Sequence, residues 1–238
     1  MEALSAIGPI GTVSEKYVFV NSSMLLKILN SYGYHLTDYK QQGNTGFAKH
    51  LMRLRKANAF GLRDHSEYHE IVIINSHDAT SALQIHAGIF RSICMNGLIV
   101  GDQTVPPIKV RHVKGSDFLA DFEASFETYL NSLSDIESSV ATLKSIAATT
   151  EIQDLFRSKV SEKLKRDFDF GLTIRKRIDD KPDLWTVYNN TQERILRGTA
   201  RYTKNGVLKH QKPITSIDKM VKVNKILWDT ALEVAREC

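Results

Sequence analysis

The stretch from Asp117 to Arg166 constrains the fold more than any other part of this chain, because it contains neither proline nor glycine. Phe118, Phe122 and Phe126 follow one another at intervals of four residues, which is the spacing of one helix face. A second helix with an apolar face of its own is predicted over residues 149–166. The whole stretch is therefore predicted to be helical.

The first half of the chain has the composition of β-strands instead. His69 to Asn75 spells HEIVIIN, a β-branched and apolar run typical of a buried strand. We predict a single α+β domain over residues 1–238, with an antiparallel sheet in a strand-rich part, 1–116, packed against a mainly helical part, 117–238. Further short strands are predicted at 17–20, 98–100 and 108–110.

Local signals in the first half also predict a helix and a turn, whereas the conformation of one segment stays ambiguous. Asn21 or Ser22 is predicted to cap a helix that Gly33 ends. Residues 47–56 fit either a strand or a helix, and Asn96-Gly97 is a turn signal. The first helix is predicted to bury one stripe, formed by Met24, Leu25, Ile28 and Leu29.

Two helices are predicted near the C-terminus. One begins around Asp180 to Pro182, with the proline in its first turn, and ends at Gly198. The other follows Ser216. Between them lies a basic linker, 199–213.

The net charge of +5 is unevenly distributed over the 238 residues. Residues 117–156 carry one Lys or Arg against eight Asp or Glu, whereas residues 157–238 carry 19 against 11. Basic regions suit phosphate-bearing partners. The charge distribution is therefore compatible with nucleic-acid binding, although a solvated basic surface explains it as well.

Several classes of protein are disfavoured. No apolar run approaches the roughly 20 residues of a membrane span. The N-terminal segment lacks the basic start and long apolar stretch of a signal peptide, so a cytoplasmic location is predicted. Cys94 and Cys238 are predicted to be free thiols. The chain lacks the GxxxxGK[ST], GxGxxG and GxSxG motifs. No cofactor and no bound metal are predicted, and an enzyme is disfavoured.

Three clusters nevertheless invite a catalytic interpretation. His65, Glu67 and His69 alternate, so on a strand they share one face, and His77 with Asp78 would complete a metal site. His77 and Asp78 also have the composition of an acid–base pair. Cys94 follows Arg91 closely enough to suggest an activated thiolate. In each case a structural role is favoured.

Basic side chains recur next to aromatic residues along the chain. Cations that follow a phosphate backbone, with rings on which bases stack, are what single-stranded nucleic acid requires. Arg194, Arg197 and Arg201 are expected on one side of a helix. The predicted nucleic-acid-binding residues are Arg53, Arg55, Lys56, Lys109, Arg111, His112, Arg175, Lys176, Arg177, Arg194, Arg197 and Arg201.

Four spaced motifs resemble a known family. The segment SHDATSALQIHAGIFRSICMNGL is similar to the signature of domain-of-unknown-function family 932, and DLWTVYNNTQERILRG to its helix that ends in Arg-Gly. FAKHLMRLR and VNKILW are further matches, so the resemblance covers about residues 17 to 235. Ala79 stands where the family usually has glycine, which puts a positive φ at that turn in doubt.

The resemblance implies an origin in a phage, a plasmid or an integrated element, and it implies no established activity. The family's signature maps onto polar residues of the sheet and of the Trp185 helix. Their type suggests one shared polar centre, formed by His77, Asp78, Arg91, Asn96, Asn189, Gln192 and Glu193. The other signature positions are His50, Arg53, Arg55, Asn75, Cys94, Arg111, His112 and Arg197.

Three functions follow as hypotheses. The first is a nucleic-acid-binding protein of a mobile element that binds or anneals single-stranded DNA in recombination or replication, as a homo-oligomer. The second is an anti-defence protein that inhibits a host restriction or CRISPR effector, with the acidic segment 117–156 as its distinguishing feature. The third is a metal-dependent nuclease built on the histidine cluster.

Overall fold

The computed structural model describes residues 2–56, 67–91, 96–101, 104–113, 118–169 and 182–238, without the side chains of Asn96, Phe118 and Leu119. The chain divides into two compact units. The first takes Met1–Gly97 and Val105–Leu133, and the second takes Leu98–Thr104 and Ser134–Cys238. The main division thus falls after Leu133, whereas the sequence changes character after residue 116.

Antiparallel strands form the centre of the first unit. Their order in the sheet is β1-β2-β3-β4-β5, and β6 also pairs with β4. The α+β class is therefore confirmed. By the division of the chain, β5 begins in the first unit and ends in the second. The elements up to α2 are a short 3-10 helix Glu2–Ser5, α1 Ser22–Ser31, β1 Tyr34–Gln41, β2 His50–Lys56, β3 Glu67–Asn75, β4 Leu83–Arg91, β5 Asn96–Ile99, β6 Ile108–Val110 and α2 Phe118–Asn131.

The ambiguous segment 47–56 is a strand from His50 onwards, β2. Its register opposes Arg53 to Val72 of β3, and the run Ile71–Ile74 of that strand is buried on both faces of the sheet. Pairing with this apolar strand decides the conformation of β2. The turn predicted at Asn96-Gly97 is wrong, because both residues begin β5. The strand predicted at 17–20 is also wrong, since Tyr17 forms only an isolated bridge there.

The first helix begins and ends where the sequence predicts. The Asn21 side chain accepts hydrogen bonds from the backbone N–H groups of Ser23 and Met24, and Gly33 follows the helix at φ 82°. Leu25 and Leu29 are buried, but Met24 is 46% exposed, so the predicted apolar stripe is narrower than expected. In α2, Phe122 and Phe126 are buried as predicted.

The second unit contains helices and a small antiparallel sheet of order β7-β8-β9. Trp185 of α5 stacks on Tyr188 at a centroid distance of 5.3 Å and meets Trp228 of α6 edge-on at 6.2 Å. These rings are buried and form the apolar contact between the two helices. The elements are α3 Leu133–Ser145, α4 Thr150–Leu164, β7 Asp167–Asp169, α5 Leu184–Arg197, β8 Arg201–Lys204, β9 Val207–His210 and α6 Ile217–Glu237.

Capping residues fix the helix ends of this unit. Asp183, whose carboxylate accepts from the Thr186 N–H at 2.7 Å, caps α5, so Pro182 precedes the cap instead of lying in the first turn. Gly198 ends α5 at φ 75°, as predicted. A Cβ at Gly198 would lie 2.4 Å from the backbone nitrogen of Pro213, so glycine also permits the connector before α6 to pass this closely.

The predicted basic linker 199–213 is instead largely a β-hairpin. Asn205 and Gly206 both have positive φ, 53° and 72°, in the two-residue turn that joins β8 to β9. Two consecutive residues with positive φ are typical of the turn whose twist matches antiparallel strands. As a result, Arg201 lies on a strand, and its predicted position on one helix side with Arg194 and Arg197 is wrong.

Candidate functional site

Two of the predicted nucleic-acid-binding residues lie in a buried charge cluster on the sheet. Arg53 Nη1 donates to Glu70 Oε2 at 2.7 Å, and Arg55 Nε donates to Glu70 Oε1 at 2.8 Å. Glu70 is fully buried, and the Arg55 guanidinium also lies 3.4 Å from the centroid of the Phe90 ring. Because both guanidinium groups share one carboxylate inside the first unit, their role there is to satisfy the buried charge.

Gly97 shapes this cluster. Its carbonyl accepts a hydrogen bond from Arg53 Nη2 at 2.9 Å, and a Cβ built on Gly97 would lie only 2.3 Å from Arg53 Nη1. Glycine is therefore required for the guanidinium to approach the backbone of β5. Arg53 of the segment FAKHLMRLR and Gly97 of the segment SHDATSALQIHAGIFRSICMNGL thus meet in this contact.

The other predicted basic residues are dispersed, and none of the described contacts gathers them into one surface. His112 is buried and stacks on Tyr17. Arg197 pairs with Glu193 at 2.8 Å, and Arg194 is half-buried. Arg201 pairs with Asp169 at 3.4 Å. Lys56, Lys109 and Arg111 are exposed in the first unit, and Arg175, Lys176 and Arg177 lie outside the described residues.

A directional chain of hydrogen bonds runs through the first unit beside α1. Asn75 Nδ2 donates to Ser22 Oγ at 3.0 Å, and Ser22 Oγ lies 2.7 Å from His50 Nε2. His50 Nδ1 lies 2.9 Å from the carbonyl of Ala48. The directions of these hydrogen bonds are consistent if His50 carries its proton on Nδ1. All three side chains are completely buried, so this serine and histidine form a closed structural network.

His77 and His112, two of the predicted site residues, extend this polar region. His77 Nε2 lies 2.9 Å from the Ala3 carbonyl, and the His77 ring is 5.1 Å from that of His50. Burial lowers the pKa of His77 and of His112, and it lowers the pKa of His50 to about 4. The three imidazoles are therefore neutral at physiological pH.

Asp78 forms a turn instead of joining His77 in an acid–base pair. Its Oδ1 accepts from the Thr80 N–H at 3.0 Å and from the Thr80 hydroxyl at 2.6 Å. Burial raises the pKa of Asp78, but these hydrogen bonds outweigh it and lower the pKa overall. Ala79, which follows, has φ 61°. The turn thus has a positive φ at position 79, although alanine stands there in place of the glycine that is usual in the family suggested by the motifs.

The predicted metal cluster is only partly described. Glu67 and His69 lie on β3 with half-buried side chains, while His65 and Cys94 lie outside the described residues. Among the described residues, no group of three His, Cys, Asp or Glu side chains is arranged to hold a metal ion.

The predicted polar centre is divided between the units. His77, Asp78 and Arg91 belong to the first, while Asn189, Gln192 and Glu193 lie on α5 in the second. Gln192 Nε2 donates to Asn224 Oδ1 of α6 at 2.9 Å, and Asn189 Nδ2 donates to the Trp185 carbonyl at 2.7 Å. The Gln192–Asn224 bond cross-links α5 and α6, whereas the Asn189 bond lies within α5.

The second unit also contains a basic cavity that the sequence did not indicate. It has a volume of about 570 Å³ and lies between the small sheet and the connector that leads into α6. Among its lining residues there are five Lys or Arg and no Asp or Glu. The basic lining residues are Arg166, Lys209, Lys212, Lys219 and Lys222, accompanied by His210. We call this feature the lysine-lined cavity.

The lysines of this cavity differ from the buried arginines in having no counter-ion among the residues that the structure describes. All four are exposed, and within the described parts of the chain none of them forms an ion pair. Arg166 donates to Gln211 Oε1, and its guanidinium lies 4.9 Å from the Tyr202 ring centroid. The cavity thus combines unpaired positive charge with an aromatic ring.

Sequence reasoning missed these residues because they come from separate elements. Arg166 follows α4, Lys209 is on β9, and Lys219 and Lys222 are three residues apart on α6. The i, i+3 spacing of the two α6 lysines, directly after the Ser216 cap, was the available signal.

The fold and the site define an α+β protein whose first unit contains a buried Arg–Glu–Arg cluster. The chain belongs to the family described as Domain of unknown function (DUF932), whose model matches residues 9–228. The resemblance drawn from the motifs is therefore confirmed, and the description of the family states no activity.

Two curated relatives come from Escherichia coli strain K12. The chain is 29% identical to the UPF0380 protein YafZ and 28% identical to the UPF0380 protein YfjQ. Each match extends over 228 residues, which is 90% of this chain and 81% of the relative. No solved structure matches the chain. Within the described ranges, no helix is both long and apolar enough to cross a membrane.

Proposed function

We propose that this protein binds nucleic acid, with single-stranded DNA favoured, in the replication or recombination of a mobile element. The observation that carries this proposal is the lysine-lined cavity, with five Lys or Arg and no carboxylate among its lining residues. Cations concentrated in a concave surface attract polyanions and release counter-ions when they bind them.

The start of α6 adds N–H donors to the cavity wall, beside the exposed carboxylate of Asp218, which does not line the cavity. Ser216 caps the helix by accepting from the Lys219 N–H, and the remaining N–H groups of the first turn face the same end. The N-terminus of a helix carries a partial positive charge that favours phosphate groups. Because Thr215, Ser216 and Lys219 all line the cavity, this end of α6 forms part of its wall.

The size and the lining of the cavity favour nucleotides over a simple anion. A volume of about 570 Å³ falls in the range of sites that hold whole organic ligands. Tyr202 and Pro213 provide flat apolar surfaces beside the cations. Lysines for phosphates and a ring for bases are the combination that single-stranded nucleic acid requires.

The test is the salt dependence of binding to a fluorescently labelled single-stranded oligonucleotide, followed by anisotropy. We expect log K to fall linearly with log salt for the wild type. The variant K212Q/K219Q/K222Q should have a slope that is smaller in magnitude by up to about 2, since each phosphate contact contributes roughly 0.7.

The control variant is K16Q/K27Q/K144Q, which removes the same net charge from exposed lysines outside the cavity. It should keep the wild-type slope. Equal losses in the two triple variants would show that the cavity is not the binding site. Absence of binding by the wild type at low salt would overturn the proposal and favour an interaction protein directed at a host effector.

A further inference from the structure

The β8–β9 hairpin beside the lysine-lined cavity presents apolar side chains to solvent at its tip. Val207 is 56% exposed and Leu208 is 54% exposed, directly after the Asn205-Gly206 turn. Successive residues of a strand point to opposite faces, so each face of the tip carries one apolar side chain. Single exposed apolar residues are common, so these two gain meaning only from their surroundings.

The two faces of this tip differ in charge. The register opposes Lys204 to Val207 and Tyr202 to Lys209, so these four side chains share one face, which is basic. On the other face, Leu208 stands opposite Thr203, and β7 adds Asp167 and Asp169 opposite Thr203 and Arg201. Val207 therefore has basic surroundings, whereas Leu208 shares its face with carboxylates.

The hairpin is also continuous with the lysine-lined cavity. Tyr202, Lys209 and His210 line that cavity, while Val207 lies two residues before Lys209 on the same face of the sheet. A polyanion whose phosphates contact Lys209 would therefore pass beside Val207. Charge complementarity makes nucleic acid the partner that fits this surface, since an apolar tip flanked by cations contacts bases and phosphates together.

We propose that the hairpin places Val207 against the bases of the single-stranded nucleic acid whose phosphates the lysine-lined cavity holds. This inference depends on the proposed function and adds to it a second contact with the bases, an apolar one beside that of the Tyr202 ring. A tight two-residue turn suits this role, because it holds the tip in one register. The hairpin contact is independent of base identity, because every base offers an apolar face.

The experiment compares a normal single-stranded oligonucleotide with a strand of equal length built entirely from abasic deoxyribose units. Both probes carry the same phosphates, and only the first carries bases. We expect the wild type to bind the normal strand roughly tenfold more tightly, the effect of about one stacked base. The variant V207T, which keeps strand propensity, should lose part of this preference, about threefold, and retain the salt slope, while the contribution of Tyr202 remains.

The matched control is I7T, a change at an apolar residue that is 97% exposed outside the hairpin. It should behave as the wild type does. If the wild type binds both strands equally and with a normal salt slope, the hairpin contact is overturned while the proposed function stands. The same holds if V207T keeps the whole preference, or loses affinity for both strands equally. Failure of the wild type to bind either strand would overturn the proposed function itself.

Discussion

Two regions of this protein concentrate positive side chains, and they differ in what surrounds the charge. Arg53 and Arg55 lie inside the first unit and share the buried carboxylate of Glu70. Lys212, Lys219 and Lys222 line a cavity of the second unit in which no lining residue is acidic. A basic residue of the first kind is a component of the fold, whereas one of the second kind is available to a ligand.

The comparison also explains why each region uses its own type of cation. A guanidinium offers several N–H donors in a plane, so Arg53 contacts Glu70 and the Gly97 carbonyl together. A lysine ammonium is a hydrated charge on a flexible stem, and it suits phosphates whose positions vary along a strand. We therefore expect the arginine cluster to control stability and the lysines to control binding.

The largest loss of stability is expected for the variant E70Q. The change keeps the shape of the side chain but removes the buried counter-charge of Arg53 and Arg55, while the exposed Asp38 carboxylate stays 4.0 Å from Arg53 Nε. Breaking a buried pair costs about 3–5 kcal/mol. Urea unfolding followed by circular dichroism measures this loss. The control E162Q removes an exposed carboxylate of α4 and should leave the midpoint unchanged. Equal midpoints for the two variants would contradict a role of Glu70 in stability.

The parts of this fold that the sequence predicts well depend on local chemistry. Asn21 caps α1 and Gly198 ends α5, because the capping side chain or the positive φ acts within one turn of the helix. The helical periodicity of residues 118–164 likewise survives, as three helices broken at Ser132 and after Ser145. These signals need no information about distant segments.

The parts of the fold that the sequence predicts poorly depend on contacts between residues that are far apart in the chain. Arg53 and Glu70 are 17 residues apart, and only the β2–β3 register brings them together. Nothing in the local sequence distinguishes Arg53 from a surface cation. The β8–β9 hairpin was missed for a related reason, because its strands are short and lack a clear apolar alternation, so Asn205-Gly206 had no flanking signal.

The second largest loss of stability is expected in acid. It arises from buried groups that are uncharged at neutral pH, unlike the two basic regions. The pKa of His50 is about 4 in the folded protein, below its ordinary value, so the unfolded chain binds a proton more readily. Stability is therefore complete above about pH 6.5 and falls as the pH decreases towards 4, by on the order of 3 kcal/mol from His50. Urea midpoints measured across this range test the prediction.

The variant H50Q separates this titration from general acid effects. It removes the imidazole while keeping a polar side chain next to Ser22, so it should be less stable than the wild type at neutral pH but lose less stability on acidification. His77 and His112, whose pKa values are also lowered by burial, account for the remaining acid dependence. An unchanged pH profile in H50Q would assign the acid sensitivity to other groups.

A smaller loss of stability is expected for the variant G97A. The new methyl group would overlap the Arg53 guanidinium, which cannot withdraw freely because Glu70 holds it, and overpacking of this kind costs about 1–3 kcal/mol. The control is G8A, since a Cβ at Gly8 meets no atom within 4 Å. In the double variant G97A/E70Q the two losses should not add, because both act on Arg53. Additive losses would show that Gly97 acts elsewhere.

The smallest change in stability is expected for the lysines of the lysine-lined cavity. In K212Q/K219Q/K222Q, three exposed cations are replaced, and none of them forms an ion pair in the described parts of the chain. Surface substitutions of this type usually leave stability nearly unchanged. The urea midpoint should therefore match that of the wild type, or exceed it slightly, because neutralising neighbouring like charges relieves repulsion. A clear loss of stability would mean that these lysines, like Arg53, serve the fold, and the contrast between the two basic regions would disappear.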